Sequence, residues 1–256
     1  RRPPRSTQGV SSAASDVYKR QIYNTKLAAL NVQVNRSHGR KRIIASPARN
    51  MLSISRKHGG EMTRLIMIRH GETNWNAENR KQGRNDQPLN AKGEIQAKLV
   101  ADYVKSKYQI EHVWTSPLKR CSDTAALFSL PVSTSDLLIE IDYGEWEGML
   151  QSDIDKDYPI QDQHNPLWRE APDGEQKSNL PIRGHRWIKE SMINDRQGDI
   201  VLVGHGGSMK GLLVALLELP DYAMDIFQID NCSVTTVEIR KGVNLLTALN
   251  YTTHLD

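Results

Sequence analysis

Two histidines in this chain end apolar runs in the same manner, Ile66-Met-Ile-Arg-His70-Gly and Ile200-Val-Leu-Val-Gly-His205-Gly-Gly. Short continuous apolar runs mark strands buried on both faces, as in a parallel sheet. The carboxyl ends of such strands lie along one edge, where open α/β sheets place their ligands, so both imidazoles are expected in one crevice. The glycines after each histidine let backbone N–H groups approach a ligand closely, which suits an anion. Either histidine alone is more simply read as a turn or surface residue. It is the pair, at equivalent positions, that points to function.

Arg69 stands beside His70, and Arg120 falls in the first turn of a helix expected after the strand Val113–Thr115. A cation at a helix N-terminus opposes the macrodipole, so this position favours a ligand over an idle surface arginine. Two forked guanidiniums with two imidazoles form a pocket for a dianion such as a phosphoryl group. Asn76, in the turn after His70, offers a further hydrogen-bond donor or serves only the turn. A leaving alkoxide needs a proton, and Glu140, expected at the same sheet edge, is the first candidate for general acid. Glu72 and Glu147 compete with it.

The elements that must position these groups follow from periodicity. Leu65–Ile68 reads as a strand, and Asn90–Tyr108 as an amphipathic helix with Ile95, Leu99 and Tyr103 on its apolar face. Ser116-Pro117 supplies an N-cap and first-turn proline for a helix reaching about Phe128. Leu137–Ile139 is a candidate third strand, and residues 142–180, rich in polar residues, Pro and Gly, read as loops with short helices, a lid over the site. Helical spacing returns at Ile182–Ile193, Asp199–Val203 is the clearest buried strand, and a helix over Ser208–Leu219 stops at Pro220. Val234–Ile239 and Val243–Leu249 complete the chain as a hairpin. Strands alternating with helices imply an α/β fold, a three-layer α/β/α sandwich around a mostly parallel central sheet.

Charge divides the 256 residues in two. Residues 1–61 carry 13 basic and 2 acidic side chains, a net of +11, whereas residues 62–256 carry 21 basic and 28 acidic, a net of −7. The mildly acidic body argues against a nucleic-acid-binding surface there, so positive charge at a site is local. The head is expected to be no domain. Gly9 to Gln21 resembles a translated sequencing-adapter remnant, and residues 22–61 read as upstream sequence in frame, with a transit peptide as the alternative. Met62 reads as the natural start of one domain spanning 62–256. Nucleic-acid binding by the head is the sharper alternative to a solvated, disordered charge run.

Nothing approaches the roughly 18 consecutive apolar residues of a membrane span. Two cysteines, Cys121 and Cys232, make neither a disulfide scaffold nor a zinc site, and a reducing, cytoplasmic setting fits them. No metal and no cofactor is expected. A homodimer is left open.

Taken together, Arg69-His-Gly-Glu-Thr-Asn-Trp-Asn76, Gln82-Gly83, Asp86-Gln-Pro-Leu89, Gly93 and Gln96-Ala97 resemble the opening of the histidine phosphatase superfamily, in its phosphoglycerate-mutase-like branch. Ser116-Pro-Leu-Lys-Arg120, Glu140-Ile-Asp-Tyr-Gly-Glu-Trp-Glu-Gly148 and Gly204-His-Gly-Gly207 follow in the family's order, so the resemblance spans Met62 to Leu255. Several spaced motifs are far more specific than Arg-His-Gly alone. The resemblance implies that His70 is a nucleophile forming a phosphohistidine, that Arg69, Asn76, Arg120, His205 and Gly206 hold the phosphoryl group, and that Glu140 protonates the leaving oxygen. Gln82 and Gly83 would contact substrate. A neutral His70 requires its other ring nitrogen to donate to a backbone carbonyl.

Three departures from the family pattern stand out: Gly204 where Ser or Thr is frequent, Lys210 where many relatives have Arg, and Pro172-Asp-Gly-Glu-Gln176 for Pro-Gly-Gly-Glu-Ser. They bear on substrate contacts, because Lys lacks the bidentate geometry of Arg. The expected activity is that of a metal-independent phosphomonoesterase for a small phosphorylated metabolite, similar to small α-ribazole and broad-specificity phosphatases. A cofactor-dependent phosphoglycerate mutase is the alternative, less favoured because Glu140-Ile-Asp-Tyr-Gly144 stands where mutases show Glu-Arg-His-Tyr-Gly. A non-enzymatic phospholigand-binding module is the third, disfavoured because every catalytic residue type is retained. Tyr143, Trp146 and Trp168 are candidates for the leaving-group pocket, with core packing expected for at least one.

Overall fold

The computed structural model describes residues 62–160, 169–240 and 243–256, and the strand paths of 33–37 and 40–44. In the head, β1 (Gln33–Ser37) pairs antiparallel with β2 (Arg40–Ile44), an element the sequence reading did not anticipate. The other head residues lie outside the described ones, as does Trp168.

The body is built on β3 (Thr63–Arg69), β4 (Ile110–Thr115), β5 (Val132–Thr134), β6 (Gly198–Gly204), β7 (Val234–Arg240) and β8 (Val243–Tyr251). They form one sheet in the order β5-β4-β6-β3-β7-β8. The first four strands are mutually parallel, and β7 and β8 add antiparallel at one edge. Strand alternation sends Leu65, Met67, Ile200, Leu202 and Val237 to one face and Ile66, Ile68, Val113, Val201 and Val203 to the other. Each face carries its own core, the physical basis of the three-layer sandwich.

On the second face lie α2 (Ala91–Lys107) and α3 (Lys119–Ala126); on the first lie α5 (Asn179–Glu190) and α6 (Gly206–Leu216). Two short helices, α1 (Asn74–Ala77) and α4 (Gln151–Asp157), belong to the loops above the sheet edge.

Three expectations are corrected. The buried stripe of α2 is Gly93, Ala97, Val100, Ala101 and Val104, while Ile95 is 63% and Leu99 39% exposed. Small residues win this face because the helix lies very close to the His70 loop: a Cβ at Gly93 would sit 2.0 Å from the Glu72 carbonyl oxygen. Leu137–Ile139 is no strand. Asp136–Leu138 forms a 3-10 turn whose Leu137 and Ile139 carbonyls accept from Arg183, and the strand is the short Val132–Thr134. Ser116 does not cap α3. That helix starts at Lys119, and its amide donates to the Asp86 carboxylate, at 2.8 Å to Oδ1, so the cap comes from a remote loop.

Candidate active site

Parallel pairing of β3 with β6 sets Arg69 opposite Gly204, which brings the next residues, His70 and His205, side by side. Their ring centroids are 5.2 Å apart at an interplanar angle of 62°. Nδ1 of His70 lies 2.7 Å from the Gly71 carbonyl oxygen. A carbonyl can only accept, so Nδ1 carries the proton and Nε2 keeps the free lone pair of a nucleophile. Burial, then the charges of Arg69 and Arg120, hold the His70 pKa well below its ordinary value, and the bond to Gly71 only partly offsets them. His205 is likewise held far down by burial, Arg120 and His70.

The His205 ring sits behind His70, fully buried, with Nε2 2.7 Å from the Ser116 hydroxyl and 3.3 Å from the Cys121 sulfur. It does not line the cavity. Ser116, read from sequence as a helix cap, thus fixes the second histidine. No local sequence signal announces that role, since it depends on β4 and β6 being neighbours.

Arg69 and Arg120 both line a cavity of about 690 Å³ at the carboxyl edge of the sheet. Nη1 of Arg69 donates to the Ile229 carbonyl at 2.8 Å, and Arg120 donates to the carbonyls of Gly83 and Asn85, each at 2.8 Å. Nε of each guanidinium is buried without a protein partner among the described residues. Burial of Arg69 lowers its pKa, against the attraction of Glu140 and Asp230. Two buried cations with donors left over describe an anion site.

Glu140 faces them. Its Oε1 accepts from the amides of Ile141 at 2.9 Å and Ser208 at 3.0 Å, and its Oε2 accepts from Gly207 at 3.0 Å. The carboxylate therefore docks on the N-terminus of α6, the electropositive end of that helix. Gly206 lies between the groups: a Cβ there would be 3.9 Å from Arg69 Cζ and 4.0 Å from Glu140 Oε2.

The competing carboxylates are engaged elsewhere. Glu72 pairs with Lys92 at 2.8 Å, which lowers its pKa, and Glu147 accepts from the Arg84 and Asn85 amides at 2.7 and 3.1 Å. Neither lines the cavity. Glu147 instead braces the Gly83 turn, where φ is +55° and a Cβ would lie 2.0 Å from its Oε1.

Asn76, Gln82 and Gly83 all reach the cavity wall. The Asn76 oxygen accepts from the Thr73 amide and from Asn231, so its amide nitrogen is the end left for a ligand. Gln82 is buried and accepts from the Thr73 hydroxyl at 2.9 Å. Tyr143 and Trp146 line the same space. Residues not anticipated as site residues also appear there: Lys81, Arg169, Lys177, Asp225 and Asp230, together with Lys210, read from sequence only as a departure. They come from distant segments and share no sequence pattern.

Among the described residues, no cluster of three or more His, Cys, Asp or Glu is arranged for a metal, and no helix is long and apolar enough to cross a membrane. Cys121 and Cys232 are free and buried.

The profile of the histidine phosphatase superfamily (branch 1) matches residues 65–252. The chain belongs to that superfamily. Phosphoserine phosphatase 1 of Hydrogenobacter thermophilus is 32% identical over 204 residues, covering 76% of this chain and 95% of the relative. A probable phosphoglycerate mutase of Serratia proteamaculans is 35% identical over 191 residues, covering 69% of this chain and 85% of the relative. Among solved structures, phosphoserine phosphatase of Entamoeba histolytica in complex with 3-phosphoglyceric acid aligns with a TM-score of 0.67 at 29% identity, over 76% of this chain and all of the other. This histidine phosphatase is thus an α/β enzyme of the phosphatase type, as the motifs implied.

Proposed function

We propose that this histidine phosphatase hydrolyses phosphomonoesters of a small metabolite by two in-line transfers at His70. Nε2 of His70 attacks phosphorus as the ester P–O bond breaks, and Glu140 gives a proton to the departing oxygen. Water then attacks the phosphohistidine, Glu140 takes a proton from that water, and inorganic phosphate leaves with the imidazole neutral again. Arg69, Arg120, Asn76 and the Gly206 region balance the charge spread over the equatorial oxygens, with His205 packed against the His70 ring. Gln82 and Gly83 flank the leaving group.

The observation that carries this reading is the His70 tautomer, with Nδ1 tied to the Gly71 carbonyl at 2.7 Å beside two buried, underused guanidiniums. A mutase would use the same histidine but must retain the phosphoglycerate for return transfer. The two buried free thiols suit a reducing, cytoplasmic setting. This reading involves neither nucleic acid nor a membrane, and light scattering on the full chain tests the homodimer.

The deciding experiment is phosphate release from p-nitrophenyl phosphate, α-ribazole phosphate, sugar phosphates, O-phosphoserine and 3-phosphoglycerate, with EDTA and a His70→Ala control. Hydrolysis that survives EDTA and vanishes in the variant is the expected result. Conversion of 3-phosphoglycerate to its 2-isomer on addition of bisphosphoglycerate, without phosphate release from any compound, would establish the mutase instead.

A further inference from the structure

The cavity holds more cationic side chains than a phosphoryl group needs. Of those outside the phosphoryl cluster, Arg80 pairs with Glu78 at 2.6 Å, Arg169 with Asp155, and Lys177 with Asp225 at 3.4 Å. Asp230 accepts from the side-chain amides of Asn250 at 2.7 Å and Gln228 at 2.9 Å. Glu140 is taken up by three backbone amides. Glu140, Asp155 and Asp230 on the wall are therefore committed, while Asp225 pairs with Lys177 through one oxygen and keeps the other buried without a partner among the described residues.

Lys81 and Lys210 are left over. Both line the cavity, both are partly buried, and neither ammonium group makes a hydrogen bond or ion pair among the described residues. Nζ of Lys81 lies 4.8 Å from the centre of the Tyr143 ring. The two ammonium groups and Lys177 repel one another: burial and then Lys177 and Lys210 pull the Lys81 pKa down to about 8, and burial lowers that of Lys210 despite Asp225. Buried cations without partners are costly, and clustering them compounds the cost. An arriving anion removes both penalties.

Lys81 is fixed by the backbone rather than by its head group. Its amide donates to the Met149 carbonyl at 3.0 Å, and its carbonyl accepts from Gly148 at 2.8 Å. Lys210 lies in the second turn of α6, whose first amides hold Glu140. The same helix therefore carries both the amides that fix the carboxylate and a cation on the cavity wall.

We propose that Lys81 and Lys210 form a second anion subsite, and that the preferred substrate is a phosphomonoester whose leaving group carries its own carboxylate or phosphate. This deepens the phosphatase reading and rests on it for the location of the leaving group. Compact point charges suit either anion, because Lys does not impose the planar fork of Arg.

The test is a pair of matched comparisons on the full chain: 3-phosphoglycerate against glycerol 3-phosphate for a carboxylate, and fructose 1,6-bisphosphate against fructose 6-phosphate for a phosphate. The wild type is expected to favour the doubly anionic member of at least one pair by tenfold or more in kcat/KM. Lys81→Met and Lys210→Met, which keep the stem and remove the charge, are each expected to cut that ratio at least fivefold, whatever they do to the absolute rates. Preference in the first pair assigns the subsite to a carboxylate and preference in the second to a phosphate. A wild-type ratio near one in both pairs, or ratios unchanged in both variants, would overturn the subsite. The same ratios are read from dissociation constants by calorimetry, so an absence of turnover would sink the phosphatase reading while leaving the subsite to stand or fall on binding.

Discussion

Gly207→Ala separates the placement of Glu140 from the stability of the fold. A Cβ at residue 207 would lie 2.4 Å from Glu140 Oε1 and 3.2 Å from its Cδ, whereas ordinary contact begins near 3.4 Å. The carboxylate must therefore retreat by about 1 Å, and a misplacement of about that size costs on the order of 100-fold in rate. That corresponds to about 2.7 kcal/mol on the barrier, within the usual range for general acid–base catalysis. Stability moves little. Replacing a helical Gly by Ala contributes about 0.5–1 kcal/mol, and losing one of the amide bonds to the carboxylate costs about 1.5–3 kcal/mol, for a net loss of about 0.5–2.5 kcal/mol. The enzyme stays folded and melts a few degrees lower.

The assay is kcat/KM, which reports only steps up to phosphorylation of His70, for glycerol phosphate and for p-nitrophenyl phosphate. Glycerol needs protonation to leave and p-nitrophenolate hardly does, so the expected loss is about 100-fold for the first and under about tenfold for the second. Equal losses on both esters, or wild-type activity on glycerol phosphate with unchanged melting, would refute the role given to Glu140.

Further outcomes follow from the same geometry. His70 and His205 have folded pKa values far below the ordinary 6.5, so below that pH the unfolded chain binds protons that the folded one refuses. Stability is therefore intact above about pH 6.5 and lost as pH falls below it, by up to about 1.4 kcal/mol per unit per histidine; His70→Asn should flatten the slope of melting temperature between about pH 6.5 and 5.5. Gly93→Ala, with its Cβ 2.0 Å from the Glu72 carbonyl, should push α2 off the His70 loop, costing about 1–3 kcal/mol in urea unfolding together with most of the activity. Leu202→Ala, buried in the middle of β6, should cost about 2–5 kcal/mol in the same measurement while sparing KM in the surviving folded fraction.

The juxtaposition of His70 and His205 is legible because parallel strands obey a register that sequence can express: two apolar runs, each closed by His-Gly, end on one edge. Glu140 falls at that edge even though Leu137–Ile139 is no strand and Asp136–Leu138 is a 3-10 turn, because the apolar run ends beside the α6 N-terminus. What failed were inferences that rank side chains by bulk. Ile95 and Leu99 read as the buried face of α2, but the helix turns Gly93 against the Gly71 loop and Ala97 and Ala101 into the core of that sheet face. The Ser116 hydroxyl and the Asp86 cap serve partners far away in sequence, a pairing that local helix signals do not encode. The lysine subsite was hidden for the same reason. Lys81 and Lys210 are 129 positions apart, and only the fold brings them to the wall of one cavity.

The central claim is that phosphate passes through Nε2 of His70. Rapid mixing of the enzyme with excess p-nitrophenyl phosphate, alkaline quenching to preserve phosphohistidine, and peptide mapping by mass spectrometry tests it directly. One phosphoryl group is expected on the peptide containing His70, appearing within the first turnover, decaying as substrate is consumed and absent from His70→Ala. Hydrolysis with no phosphorylated peptide at any time, or phosphate located on His205 or another residue, would contradict it.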